Sequence, residues 1–185
     1  MGAHLLEEDD AVGRYRLDVI AVDAEDAVRF AGGLICDRSM AGWEVSVLTS
    51  TGGGEHALYV LGATTVRQVP AAVAALHQTL AVSAAAISAD DAVRDRVLEG
   101  LADEATDVLI WDAQRTGAVP AMLETVEHGV SAAARAYRQQ ALRALGADHP
   151  CGATEVFART SGRPIVAPGT AGSGALDVHR FGHGG

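Results

Sequence analysis

The sequence predicts an α/β fold: a mixed four-stranded sheet in the element order β-α-β-β-α-α-β-α, with a long C-terminal helix and an irregular tail. Three observations carry that expectation. Short apolar runs at 16–22, 43–50, 57–62 and 106–112 read as strands. Stretches of helical period or helix-favouring composition, with acidic caps or glycine stops, lie between or after them. The chain has 185 residues of which 49% are hydrophobic, enough for one domain with a core of its own.

Residues 1–14 form an acidic, flexible N-terminus carrying Glu7, Glu8, Asp9 and Asp10. The single α/β domain is expected over 15–148. It opens with the run RLDVIAV at 16–22, β-branched and short. Asp23 then reads as an N-cap: its carboxylate can accept from a free backbone N–H, and Glu25 and Asp26 complement the positive helix end. That helix runs to about Met40. Gly32 and Gly33 cost helix stability in its middle, so a close backbone approach is their expected reason.

The alternating run WEVSVLTS at 43–50 is the second strand and ALYVLG at 57–62 the third. Six residues, Thr51 to His56, link them. A parallel crossover needs a dozen or more, so an antiparallel hairpin is expected. Gly52, Gly53 and Gly54 then read as a hairpin tip, because a phosphate-cradling loop would open into a helix. Residues 69–89 contain no charge and are long enough to span a bilayer. Their bulk is alanine, with a proline, a histidine, a glutamine and hydroxyls, so a buried helix is expected and membrane contact is argued against. A more polar helix follows to about Asp103, and TDVLIWD at 106–112 makes the fourth, central strand.

A long helix is expected over 119–145, starting at Pro120 and ending before Gly146. Val119, Leu123, Val126, Val130, Ala133 and Tyr137 fall four and three apart along it. At 1.5 Å per residue it reaches roughly 40 Å, about twice a typical strand. Its far half should overhang the sheet and present Val130, Ala133 and Tyr137 as an interface. Residues 149–185 lose all periodicity and read as a tail, disordered or ordered by a partner.

Composition excludes several chemistries. All fourteen basic residues are arginine. A P-loop lysine, a Schiff-base lysine and a Ser-Lys pair are therefore impossible. The net charge of −10 and the lack of a basic cluster argue against nucleic acid as a partner. The arginine-only basic set, with asparagine also absent, points to a GC-rich, bacterial coding genome. Two cysteines, Cys36 and Cys151, with no leader-like segment point to the cytoplasm. No zinc spacing, HExxH, EF-hand or dinucleotide fingerprint occurs, so no metal or cofactor is expected. Gly129-Val130-Ser131 echoes a nucleophile elbow but lacks the second glycine and falls inside the expected long helix. His149 and Cys151 are too close in an irregular segment to form a catalytic pair.

These absences, with the overhanging helix and the tail, point to a non-catalytic subunit or scaffold protein joined to a protein partner or to its own copies. The competing expectation is a small-ligand or Mg²⁺-dependent enzyme. Asp23 and Asp112 both end strands, where α/β sheets bind ligands, and Arg115 is near enough in sequence to hold an anionic group.

Overall fold

The computed structural model describes residues 15–71, 77–113, 123–160 and 176–177. The acidic start, Arg115 and most of 161–185 lie outside them. Strand β1 (Tyr15–Ala21) leads into α1 (Ala24–Met40), then β2 (Glu44–Thr49), α2 (Glu55–Val60) and β3 (Thr64–Val66). Next come β4 (His77–Ser83), α3 (Ala84–Ala89), α4 (Asp91–Ala102) and β5 (Thr106–Trp111). The chain closes with β6 (Leu123–Gly129), α5 (Ala132–Ala144), β7 (Thr154–Thr160) and the two-residue β8 (Leu176–Asp177). The sheet order is β3-β2-β1-β4-β5-β7-β6-β8. The first five strands are parallel; β7 is antiparallel to both β5 and β6.

Alternating strand residues build two cores. Leu17, Val19 and Ala21 of β1, with Val45, Val47, Leu109 and Trp111, pack under α1. Ile20, Leu80, Val82, Val108 and Ile110 face the other way, against Ile87, Val93 and Val97 of α3 and α4. The result is a three-layer sandwich, the architecture that buries a parallel sheet on both faces.

The α/β class stands, but the four-stranded sheet does not. Residues 57–62 are not a strand: ALYV lies in α2, and β2 pairs with β3 in parallel rather than in a hairpin. The crossover is short because α2 has only six residues. The glycine loop therefore opens into a helix, contrary to the hairpin reading, with Gly52, Gly53 and Gly54 all at positive φ. The uncharged stretch is also not one helix: its described part is β4 followed by α3. Burial explains the error: six of the seven β4 residues are buried, so the strand shows no alternation, and the alanines that surround it in 69–89 favour a helix. Among the described residues no helix is long and apolar enough to cross a membrane.

The largest correction concerns 119–145. No long helix exists there: β6 takes Leu123–Gly129, and α5 starts at Ala132 behind the N-cap Ser131, whose Oγ accepts from Ala134 N at 3.1 Å. The apparent seam joined two elements of different period. Val126 faces the core from a strand, and Ala134, Arg138, Ala141 and Leu142 form the buried face of α5. That helix packs on α1 and α2, so α5 does not overhang the sheet. The tail is likewise not wholly irregular, because β7 inserts between β5 and β6.

Candidate active site

The antiparallel end of the sheet is joined to α1 by charges rather than by apolar side chains alone. Glu155 of β7 is 4% exposed. Its Oε1 accepts from Gly33 N at 2.7 Å and its Oε2 from Leu34 N at 2.8 Å, both in the middle of α1. Arg138 of α5 reaches the same helix one turn earlier. Its Nε donates to the carbonyl of Val28 at 3.1 Å and its Nη2 to that of Arg29. Arg138 Nη1 lies 3.3 Å from Glu155 Oε1. An acid and a base thus grip the N–H and C=O groups of one helix. Burial pushes the Glu155 carboxyl up, against the opposing pull of Arg138 and the two N–H groups.

This grip explains the mid-helix glycines. A Cβ on Gly33 would lie 2.6 Å from both methyls of Val130 and 3.0 Å from Glu155 Oε1. On Gly32 it would lie 3.1 Å from Arg138 Cγ. The close approach foreseen for these glycines is real, but it is to α5 and the β6–α5 turn as well as to the sheet.

A second buried pair sits beside the first. His128 of β6 is 1% exposed, and its Nε2 lies 2.9 Å from Asp37 Oδ2. Ser131 N donates to the same oxygen at 3.1 Å. Burial raises the Asp37 carboxyl, but the bonds from His128 and Ser131 outweigh it and hold the group below its usual range. Ser131 does fall between a strand and a helix, yet this is no nucleophile elbow. A catalytic serine bonds its histidine; here serine and histidine both bond the aspartate, and the serine Oγ caps α5.

Above these pairs β5 and β7 part. They pair only at Leu109↔Arg159 and Ile110↔Ala158. Beyond that point a cleft of about 560 Å³ opens between Trp111–Asp112–Ala113, the β7 residues 154–158, and Arg29 and Phe30 of α1. Thr125, Arg138, His149 and Pro150 also line it. Such a volume suits a small ligand. Asp112 stands exposed on this wall with φ of 56°, the one described residue other than glycine at positive φ. An aspartate tolerates that conformation at a cost of about 1–3 kcal/mol, and such strain gathers at working sites.

Neighbouring groups fix the cleft. Trp111 Nε1 donates to Asp26 Oδ1 at 3.1 Å, and Asp26 Oδ2 accepts from Val22 N, tying the end of β5 to the start of α1. His149 Nε2 lies 2.8 Å from Glu25 Oε1. The Cys151 thiol faces the His149 carbonyl at 3.9 Å, not the imidazole.

Of the residues read from sequence, Asp112 lines the cleft. Asp23 caps α1, accepting from Asp26 N at 2.7 Å, and does not line it. Strand β4 separates the strands that carry these two carboxylates. Arg115 lies outside the described residues. Val130 is buried against Gly33, while Ala133 and Tyr137 are on the exposed face of α5. Among the described residues no group of three or more His, Cys, Asp or Glu side chains comes together to hold a metal ion. Sequence reading missed Asp26, Arg138 and Glu155. One signal was present: in TEVFART, Glu155, Phe157 and Arg159 alternate on one face, a strand signature obscured by its charges.

No family model matches the sequence. No curated protein matches it either. Among solved structures, the chain is similar to the crystal structure of an antimicrobial-reagent pseudoaglycone deacetylase, with a TM-score of 0.51 and 15% identity over 79% of this chain and 97% of that one. A teicoplanin-biosynthesis deacetylase in complex with teicoplanin gives 0.49 and 14% over 79% and 99%. The zinc-inhibited form of teicoplanin deacetylase gives 0.43 and 15% over 70% and 83%. At these identities the likeness is one of fold. The expectation of a non-catalytic scaffold is corrected by the fold itself: the overhanging helix on which it rested does not exist, since Leu123–Gly129 is β6 and α5 packs on α1 and α2.

Proposed function

We propose that this chain is an enzyme acting on a small ligand in the cleft between β5 and β7, and that it hydrolyses an acyl group from an amine. The observation that carries the reading is the cleft itself: about 560 Å³ at the C-terminal end of the last parallel strand, with Asp112 held on it at positive φ. The position agrees with where α/β sheets bind ligands. The reaction type is suggested by the deacetylases that share the fold.

Amide hydrolysis needs a base to deprotonate water and positive charge near the developing oxyanion. Asp112 supplies the carboxylate. Water attacks the acyl carbon as Asp112 takes its proton; the C–N bond then breaks and that proton passes to the departing amine. Arg29 and His149, which also line the cleft, supply the cationic and proton-donating groups. Arg138 and Glu155 position the α1 and β7 walls.

The test is acetate release from a panel of N-acetylated amino sugars, amino acids and peptides by the purified protein. Turnover of at least one class supports the reading. No acetate from any class overturns it.

A further inference from the structure

Among the described residues, strand β7 is paired in full on one side and at only two positions on the other. With β6 it forms an unbroken register from Leu123↔Thr160 to Gly129↔Thr154. With β5 it pairs at two positions only, both beyond Phe157. Successive strand residues direct their N–H and C=O groups to opposite sides, so two of the four residues from Thr154 to Phe157 present backbone donors and acceptors to the cleft. Within the described residues, the backbone bond recorded beside this stretch is Val130 N to Ala153 O, which closes the β6 side.

An open strand edge is a template for another chain, and proteins guard such edges with proline, lysine, bulges or short length. The edge at β3 is guarded by length, having three residues. β7 has seven, without proline or lysine, and its register with β6 has no bulge. Its charged residues, Glu155 and Arg159, are buried and spent on Arg138 and Glu124. Val156, which is 53% exposed, lines the cleft with Thr125 and Ala158. The β7 wall therefore combines backbone hydrogen-bonding groups with the small, uncharged side chains of Thr154, Val156 and Ala158, while Asp112, Arg29 and His149 supply the charged and polar groups of the other walls.

We propose that this edge is a strand-addition site, and that the cleft takes an extended, amide-bearing chain, a peptide backbone, paired with Thr154–Phe157. A second folded copy is too large for about 560 Å³; a short extended segment fits between α1 and the two strands. The inference rests on the cleft being the substrate site, and it names the substrate class: an acylated amine carried on a peptide. Backbone bonds then supply affinity, and Val156 and Thr125 meet alternate side chains.

The test is binding of N-acetylated tetrapeptide amides, measured by calorimetry beside a matched set with every backbone nitrogen methylated and beside N-acetylglucosamine. The unmodified peptides are expected to bind, with at least tenfold weaker binding by the methylated set. Val156→Trp should weaken peptide binding at least tenfold while circular dichroism stays unchanged. On peptide binding, hydrogen exchange should slow at residues 154–157. Equal binding of both peptide sets, no peptide binding, or unaltered binding by Val156→Trp overturns the proposal. Acetate release from an amino sugar without peptide binding defeats this inference and leaves the enzyme reading standing. Peptide binding without acetate release from any substrate defeats the acyl-hydrolase reading and the substrate class with it, and leaves the strand-addition site standing.

Discussion

The two halves of the sheet hold themselves together in different ways. The parallel half, β3-β2-β1-β4-β5, has an apolar core, with Leu17, Val19, Leu80, Val82, Leu109 and Ile110 each at most 1% exposed, and a buried carboxylate, Asp18, bonded by Arg16, Ser46 and Gln78 of its own and the flanking strands. The antiparallel half docks its inner face with Glu155–Arg138 and His128–Asp37 alongside Phe157 and Val126. A buried ion pair adds little net stability against an apolar pair of equal size, but losing one partner is severe. The difference teaches that β7 and β6 are placed by directional bonds to particular atoms of α1. In the parallel half the buried charge of Asp18 bonds side chains of neighbouring strands; in the antiparallel half the buried charges bond α1, and the cleft inherits its shape from that docking.

The sharpest way to break that contrast is to remove one member of the pair. Glu155→Leu leaves Arg138 buried without its counter-charge and should cost about 3–5 kcal/mol in urea unfolding. Adding Arg138→Met should recover most of the loss. Full additivity of the two costs would mean the pair does not couple. Leu80→Ala in the parallel half should cost about 2–5 kcal/mol by the same measurement, because a cavity remains. Leu80 sits in an apolar cluster with Ile20, Ile87 and Val108, so removing a counter-charge should not rescue it. Gly33→Ala comes next, at about 1–3 kcal/mol from overpacking against Val130. Val130→Ala in the same chain should reduce that penalty, which locates the clash.

Acid titration separates the pairs further. Asp37 is held below its ordinary value, so its stabilising contribution is present above the unfolded carboxylate pKa of about 3.9 and is lost as pH falls through the lower folded value. Glu155 has the opposite sign: its folded pKa is raised, so stability declines as pH rises from about 4.3 through that higher value. Asp37→Asn should flatten the acid limb of melting temperature against pH, and Glu155→Gln the limb above it. The smallest effect belongs to Ala133→Glu on the exposed face of α5, expected within about 0.5 kcal/mol of the parent in thermal unfolding.

The same contrast decides what was legible in the sequence. Strands β1, β2 and β5 and helix α1 with its Asp23 cap are readable, because apolar periodicity and capping chemistry report them directly. β4 is hidden by burial, which erases its alternation, and by the surrounding alanines of 69–89, which favour a helix. β6 is hidden by its charges: in LETVEHG a strand and a helix pattern both leave Val126 and Val130 inside, and proximity to Ala-rich α5 tips the reading to a helix. Asp112 could be found as a strand-end carboxylate. Glu155 and Arg138 could not, because nothing local says that two ions 17 positions apart meet on the backbone of a third element.

Under the proposed function, the cleft at the end of β5 is where this protein works and Asp112 is its base. The most direct measurement is kcat for acetate release by the parent and by Asp112→Asn on the best substrate of the N-acetylated panel. A fall of at least about 10²-fold is expected, the usual contribution of a general base, with the melting temperature nearly unchanged. Parental kcat in the Asp112→Asn protein would contradict it and place the chemistry elsewhere on the molecule.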